Sequence, residues 1–109
     1  MWLFTSQGFY SAVAHRNDAS KVIVRARVRE DLEALRDQIP DLRIFEDEDA
    51  DYRYRAVVDH EQWVAAVAIL AAAIDYDNFK AAVAERQGPE RERAYMRVWA
   101  EMLGLQEER

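Results

Sequence analysis

The sequence predicts an α+β fold: two strand–strand–helix units whose four strands form one antiparallel sheet, followed by two more helices. Three observations predict it. In residues 22–28, Val22, Val24, Ala26 and Val28 alternate with Ile23, Arg25 and Arg27, the period of a half-buried strand. Residues 63–74 are twelve consecutive apolar residues, too few to cross a bilayer and the length of a buried helix. The string Arg25-Ala26-Arg27-Val28 before an acidic helix start is echoed by Arg55-Ala56-Val57-Val58 before Asp59-His60-Glu61. One strand–strand–helix unit is therefore used twice.

Each element has its own local warrant. Residues 9–15 follow Gly8, are rich in aromatic and β-branched types, and pair with 22–28 across the turn Asn17-Asp18-Ala19-Ser20. Leu32, Leu35 and Ile39 recur at helical spacing over residues 30–39, and Pro40 ends the run. Residues 42–45 and 52–58 form a second hairpin around the acidic stretch at 46–51. Asp59 and Gln62 have the spacing of a capping box, so the next helix starts before Trp63 and ends near Asp75, with neighbours expected on more than one face. Asp77 caps residues 78–87, Gly88-Pro89 breaks the run, and Tyr95, Val98, Trp99, Met102 and Leu103 form one stripe of a final helix that stops at Gly104. Residues 106–109 are expected to fray. Trp2, Phe4 and Phe9 are expected to join Tyr76, Phe79, Tyr95 and Trp99 in the core. The two units combine into a permuted relative of the ferredoxin-like arrangement, and residues 1–109 read as one domain.

Composition narrows the chemistry. The 109 residues include 21 acids, 15 bases, three glycines and no cysteine, for a net charge of −6. Without cysteine there is no disulfide framework and no thiolate nucleophile or ligand. The start Met1-Trp2-Leu3-Phe4-Thr5-Ser6 lacks the pattern of a signal peptide, so a cytoplasmic location is expected, and no membrane partner. The histidines, His15 and His60, lack the spacing of a zinc helix, the serines lack a nucleophile elbow, and no glycine-rich loop cradles phosphate. No cofactor, metal or catalytic residue is expected.

One surface stands out against the acidic background. Residues 1–28 hold four bases and one acid, whereas residues 29–51 hold ten acids and three bases. With Tyr52, Tyr54, Ala56 and Val58 facing the helices, Arg53 and Arg55 join Arg25 and Arg27 on the other sheet face. Arginine forks grip carboxylates and phosphates. The candidate binding residues are Arg25, Arg27, Arg53 and Arg55, with Tyr10 and His15 beside them, and the expected role is a non-catalytic interaction or adaptor module. Its partner is an acidic protein surface or a second copy, as a homodimer. Nucleic acid or a phosphate ligand is the alternative, disfavoured by the net charge and by the lack of an aromatic pair on the basic strands. A small enzyme using His15, Tyr10 and the arginines on an anionic substrate is the third reading. The plain counterpart of all three is a wet sheet face, its arginines covered by water or by the chain's own acidic loop.

The strings Met1-Trp2-Leu3-Phe4-Thr5, Gly8-Phe9-Tyr10-Ser11, Val24-Arg25-Ala26-Arg27, Tyr52-Arg53-Tyr54-Arg55-Ala56, Ile74-Asp75-Tyr76-Asp77-Asn78-Phe79-Lys80 and Arg86-Gln87-Gly88 together resemble a family of small uncharacterised bacterial proteins. The resemblance spans nearly the whole chain. It implies a bacterial cytoplasmic setting and no particular chemistry.

Overall fold

The computed structural model describes residues 1–107. Among them the fold is α+β, with an open antiparallel sheet of five strands and four helices. The strands are β1 (Trp2–Phe4), β2 (Phe9–Ala14), β3 (Lys21–Ala26), β4 (Phe45–Glu46) and β5 (Tyr54–Asp59), in spatial order β1-β2-β3-β5-β4. The helices are α1 (Arg29–Leu35), α2 (His60–Ala72), α3 (Phe79–Gln87) and α4 (Pro89–Glu107). Contacts group the chain into two compact units, one of Met1–Ile74 and one starting at Asp75, each described by itself below.

The expected four strands become five because the N-terminus is itself a strand. Met1 donates its ammonium to the Ala12 carbonyl, the Ala12 N–H returns a bond to the Met1 carbonyl, and Thr5 closes the turn on the Gly8 carbonyl. Trp2, Phe4 and Phe9 consequently leave the core. By register Trp2 lies opposite Ser11 and Phe4 opposite Phe9, on the face that alternates away from buried Tyr10. There Phe4 and Phe9 stack at 4.4 Å, and Trp2 meets Phe9 edge-on.

Alternation builds the core of the first unit. Val22, Val24 and Ala26 of β3, Ala56 and Val58 of β5, and Tyr10 and Ala12 of β2 pack with Leu32 and Leu35 of α1 and with Trp63 and Ala66 of α2, so both helices cover one sheet face. Asp59 and Gln62 do form the expected capping box, the Gln62 side chain accepting the Asp59 N–H. The expectation that α2 would be covered on several faces is corrected: Val64 and Ile69 are exposed, and only Trp63 and Ala66 are buried. Alanine on every side allows a helix of uniform apolarity to rest on a sheet by a single stripe.

Gly8 shows how tightly the turn sits on the core. A Cβ there would fall 2.8 Å from the Tyr10 hydroxyl and 2.9 Å from Asp31 Cγ. Neither neighbour can yield, because Tyr10 donates to the Asp31 carbonyl and the Asp31 carboxylate accepts the Phe9 N–H. Gly8→Ala is expected to lower stability by about 1–3 kcal/mol through overpacking, read as a fall in the denaturant midpoint; an unchanged midpoint contradicts this packing.

In the second unit Phe79 stacks on Tyr95 at 5.8 Å, tying α3 to α4. Asn78, not Asp77, caps α3 by accepting the Ala81 N–H. Gly88 ends α3 at φ +93°, a backbone region open to glycine, and Pro89 opens α4. α4 runs through Gly104 rather than stopping there; of the residues expected to fray, 108 and 109 lie outside the described residues. Arg86 pairs with Asp75 at 2.7 Å, and that hydrogen bond holds the Asp75 carboxyl below its ordinary value. A depressed acid stabilises the fold above its unfolded-state value and loses that contribution as pH falls through the folded value. The parent chain should therefore lose thermal stability on acidification more steeply than Asp75→Asn, the two melting curves converging in strong acid; identical pH profiles contradict the pairing.

Candidate anion-binding face of the sheet

Cross-strand register lays a row of side chains across all five strands on the face away from α1 and α2. Trp2 lies opposite Ser11, Ser11 opposite Arg25, Arg25 opposite Arg55, and Arg55 opposite Phe45. Two guanidiniums therefore stand side by side at the centre, with roughly 5 Å between directly opposed residues, and an aromatic ring stands at each end. Trp2 is 68% and Phe45 47% exposed.

The two central arginines are held differently. Arg25 donates through Nη2 to the Ser11 hydroxyl at 2.6 Å and lies 4.6 Å from the centre of the Tyr52 ring. Ser11 is fully buried and Tyr52 nearly so, which makes them a fixed support. Arg55 is half-buried and makes no hydrogen bond or ion pair with any described residue. Both Nε–H groups are buried without an acceptor. Like charges directly opposed across a ladder are destabilising, and a buried donor without an acceptor costs about 1–3 kcal/mol. Stability alone does not select this pair.

The other candidates are dispersed. Arg27 lies 4.0 Å from the Tyr52 ring centre and donates to the Asp51 carbonyl, so it borders the row beside Arg25. Tyr52 precedes β5 and turns to this arginine face, against Phe9, rather than toward the helices as alternation had suggested. Arg53 is drawn to the acidic loop, bonding Glu46 at 2.6 Å and Glu48 at 3.1 Å, and the Glu46 hydrogen bond raises its pKa. That loop thus neutralises one arginine of the four.

Tyr10 is not on this face. It is fully buried under the helices, edge-on to Trp63, because Leu3 and Tyr10 point opposite to Trp2 and Ser11. His15 follows the end of β2, about 13 Å along the strand from Ser11, where its Nδ1 accepts the Asn17 N–H. It lines a surface cavity of about 560 Å³ with Asp18, His60 and Trp63. The Asp18 carboxylate there is engaged by the Ser20 N–H and hydroxyl. Among the described residues no histidine hydrogen-bonds a carboxylate, and no group of three or more histidines and acids is placed to hold a metal ion. Sequence reasoning missed Ser11, Trp2, Phe45 and Tyr52. Ser11 was legible from its alternation with Tyr10; the others required the pairing of β1, β4 and the loop before β5.

No described helix is long and apolar enough to cross a membrane. Compared with family models, with curated proteins and with solved structures, the chain matches none.

Proposed function

We propose that this chain is a non-catalytic interaction module whose Arg25–Arg55 face docks acidic side chains of a protein partner. One observation carries the reading: two opposed guanidiniums, one braced by Ser11 and Tyr52 and the other without a partner among the described residues, in a chain whose acids outnumber its bases. Arg25, Arg27 and Arg55 bond no acid among the described residues, a state that Arg36, on the Leu42 carbonyl, and Lys80, over the Trp99 ring, share; what sets the three apart is that they lie together on one sheet face. Oriented but not neutralised, these groups suit a partner that supplies the carboxylates. The surrounding Trp2, Phe45, Val13 and Val57 are exposed and provide the apolar contact that arginine and aromatic hot spots use.

Charge also orders the choice of partner. Two copies meeting face to face would bring four guanidiniums together, which repel unless acids lie between them, so an acidic partner is preferred to a homodimer through this face. The order β2-β3-β5-β4 with α1 and α2 on one side supports reading this part of the sheet as a permuted ferredoxin-like arrangement, and the bacterial cytoplasmic setting is what the resemblance implies. A second reading has its own support, since Trp2 and Phe45 supply the exposed aromatic pair on which bases of a single strand stack.

Fluorescence anisotropy with a labelled glutamate-rich peptide and with a labelled single-stranded oligonucleotide of equal charge separates the readings. The peptide is expected to bind the more tightly, weakening as salt rises and losing its affinity in Arg55→Gln. Tighter binding of the oligonucleotide favours the second reading, and binding of neither overturns the face as a docking surface.

A further inference from the structure

We infer that, among the acidic groups an acidic partner can offer this face, a phosphate monoester fits the Arg25–Arg55 pair better than a carboxylate; the inference rests on the docking surface proposed above and names its preferred ligand. Arg25 and Arg55 oppose each other in register and together present two positive charges, with no acid among the described residues bonded to either. Arg27 adds a third guanidinium beside Arg25, over the same Tyr52 ring. A single carboxylate carries one charge and leaves the opposed pair half compensated. A phosphate monoester carries nearly two charges at neutral pH and three acceptor oxygens, so one group can bridge two forks.

The site is also preformed. Ser11 is fully buried and accepts from Arg25 Nη2, and the nearly buried Tyr52 ring lies against Arg25, which orients this fork before any ligand arrives. Arg55 has no competing acceptor to surrender among the described residues. A preorganised fork saves the ordering cost of binding, and an anion between the pair converts a cross-strand repulsion into two attractions. Phe45 stands one strand beyond Arg55 and Trp2 two strands beyond Arg25, so exposed rings close the row at both ends.

Isothermal calorimetry on the full chain tests the assignment with two peptides of glycine, serine and glutamate, identical except that one carries a phosphoserine where the other carries glutamate. The phosphopeptide is expected to bind at least about tenfold more tightly. Its advantage should shrink from pH 7.5 to pH 5, as the phosphate takes up its second proton near pH 6. Arg55→Gln should abolish the preference while leaving the circular dichroism spectrum unchanged. Inorganic phosphate and sulfate should compete with the phosphopeptide better than acetate at equal ionic strength. Equal affinity for both peptides, or a preference that survives Arg55→Gln, overturns the phosphate assignment while leaving the acidic docking face standing. Binding of neither peptide overturns both. An equally charged single-stranded oligonucleotide that binds more tightly than the phosphopeptide also overturns the assignment, since the ligand is then a nucleic-acid backbone.

Discussion

A chain carrying Arg25→Gln and Arg55→Gln is expected to melt no lower than the parent and to bind a glutamate-rich peptide about 100-fold more weakly or worse. Binding falls because each guanidinium contributes a charge-assisted, fork-shaped contact, and losing two such contacts at about 1.4 kcal/mol each gives that factor. Stability holds for a different reason. The substitution removes a like-charge pair set directly opposite in the ladder, and it removes two buried Nε–H groups that lack acceptors. Gln keeps a stem that covers the sheet and can still meet Ser11. Loss of binding without loss of stability distinguishes a recognition face from a wet sheet face that happens to be arginine-rich. A double variant that unfolds contradicts the account, because these side chains would then be holding the sheet together.

Trp63→Ala is the substitution expected to damage the fold most, by about 3–5 kcal/mol as for other large aromatic truncations in cores. Trp63 is 5% exposed and meets Tyr10 edge-on at 6.3 Å. Trp63 and Ala66 are the fully buried residues of α2, with Val67 and Leu70 partly buried beside them, so the Trp63 ring is the largest single contribution to the seam between that helix and the sheet. Urea denaturation of the variant checks the magnitude. A loss below about 1 kcal/mol would mean that α2 is held by something other than this stripe. The proposed docking face, on the opposite side of the sheet, should keep its affinity under conditions where Trp63→Ala remains folded.

Much of this architecture is legible along the chain because its determinants are local. The alternation of Val22, Val24 and Ala26 against Ile23 and Arg25, and the Asp59–Gln62 capping box, depend on spacing within a few residues, and both are present in the structure. The elements that sequence reasoning lost are those fixed by distant partners. β1 is three residues long and exists because the Met1 ammonium and carbonyl reach Ala12; nothing in Trp2-Leu3-Phe4 by itself announces an edge strand. Tyr52 fits the alternation of β5 on paper, yet the strand begins at Tyr54, so the residue is free to turn under Arg25 and Arg27.

The same division runs through the site. Placing Arg25 and Arg55 on one face follows from period-two alternation, but their direct opposition depends on the β3–β5 register, which pairs residues thirty positions apart. Arg53 shares their parity and is nonetheless neutralised, because Glu46 and Glu48 lie across the β4–β5 connection and capture it. Tyr10 was grouped with the arginines, whereas strand alternation sends its ring into the core. Electrostatic capture and register are properties of the assembled sheet, so neither can be read from one strand.

The most direct test follows the arginine Nε–Hε signals by nuclear magnetic resonance while a glutamate-rich peptide is titrated into the full chain. The Arg25 and Arg55 signals are expected to move first and furthest, with Arg27 following, while Arg53 and Arg86, already bonded to Glu46 and Asp75, stay nearly still. Equal small movements of every arginine, or movement at Arg53 and Arg86 with Arg25 and Arg55 unchanged, would contradict the assignment of the opposed pair as the recognition site.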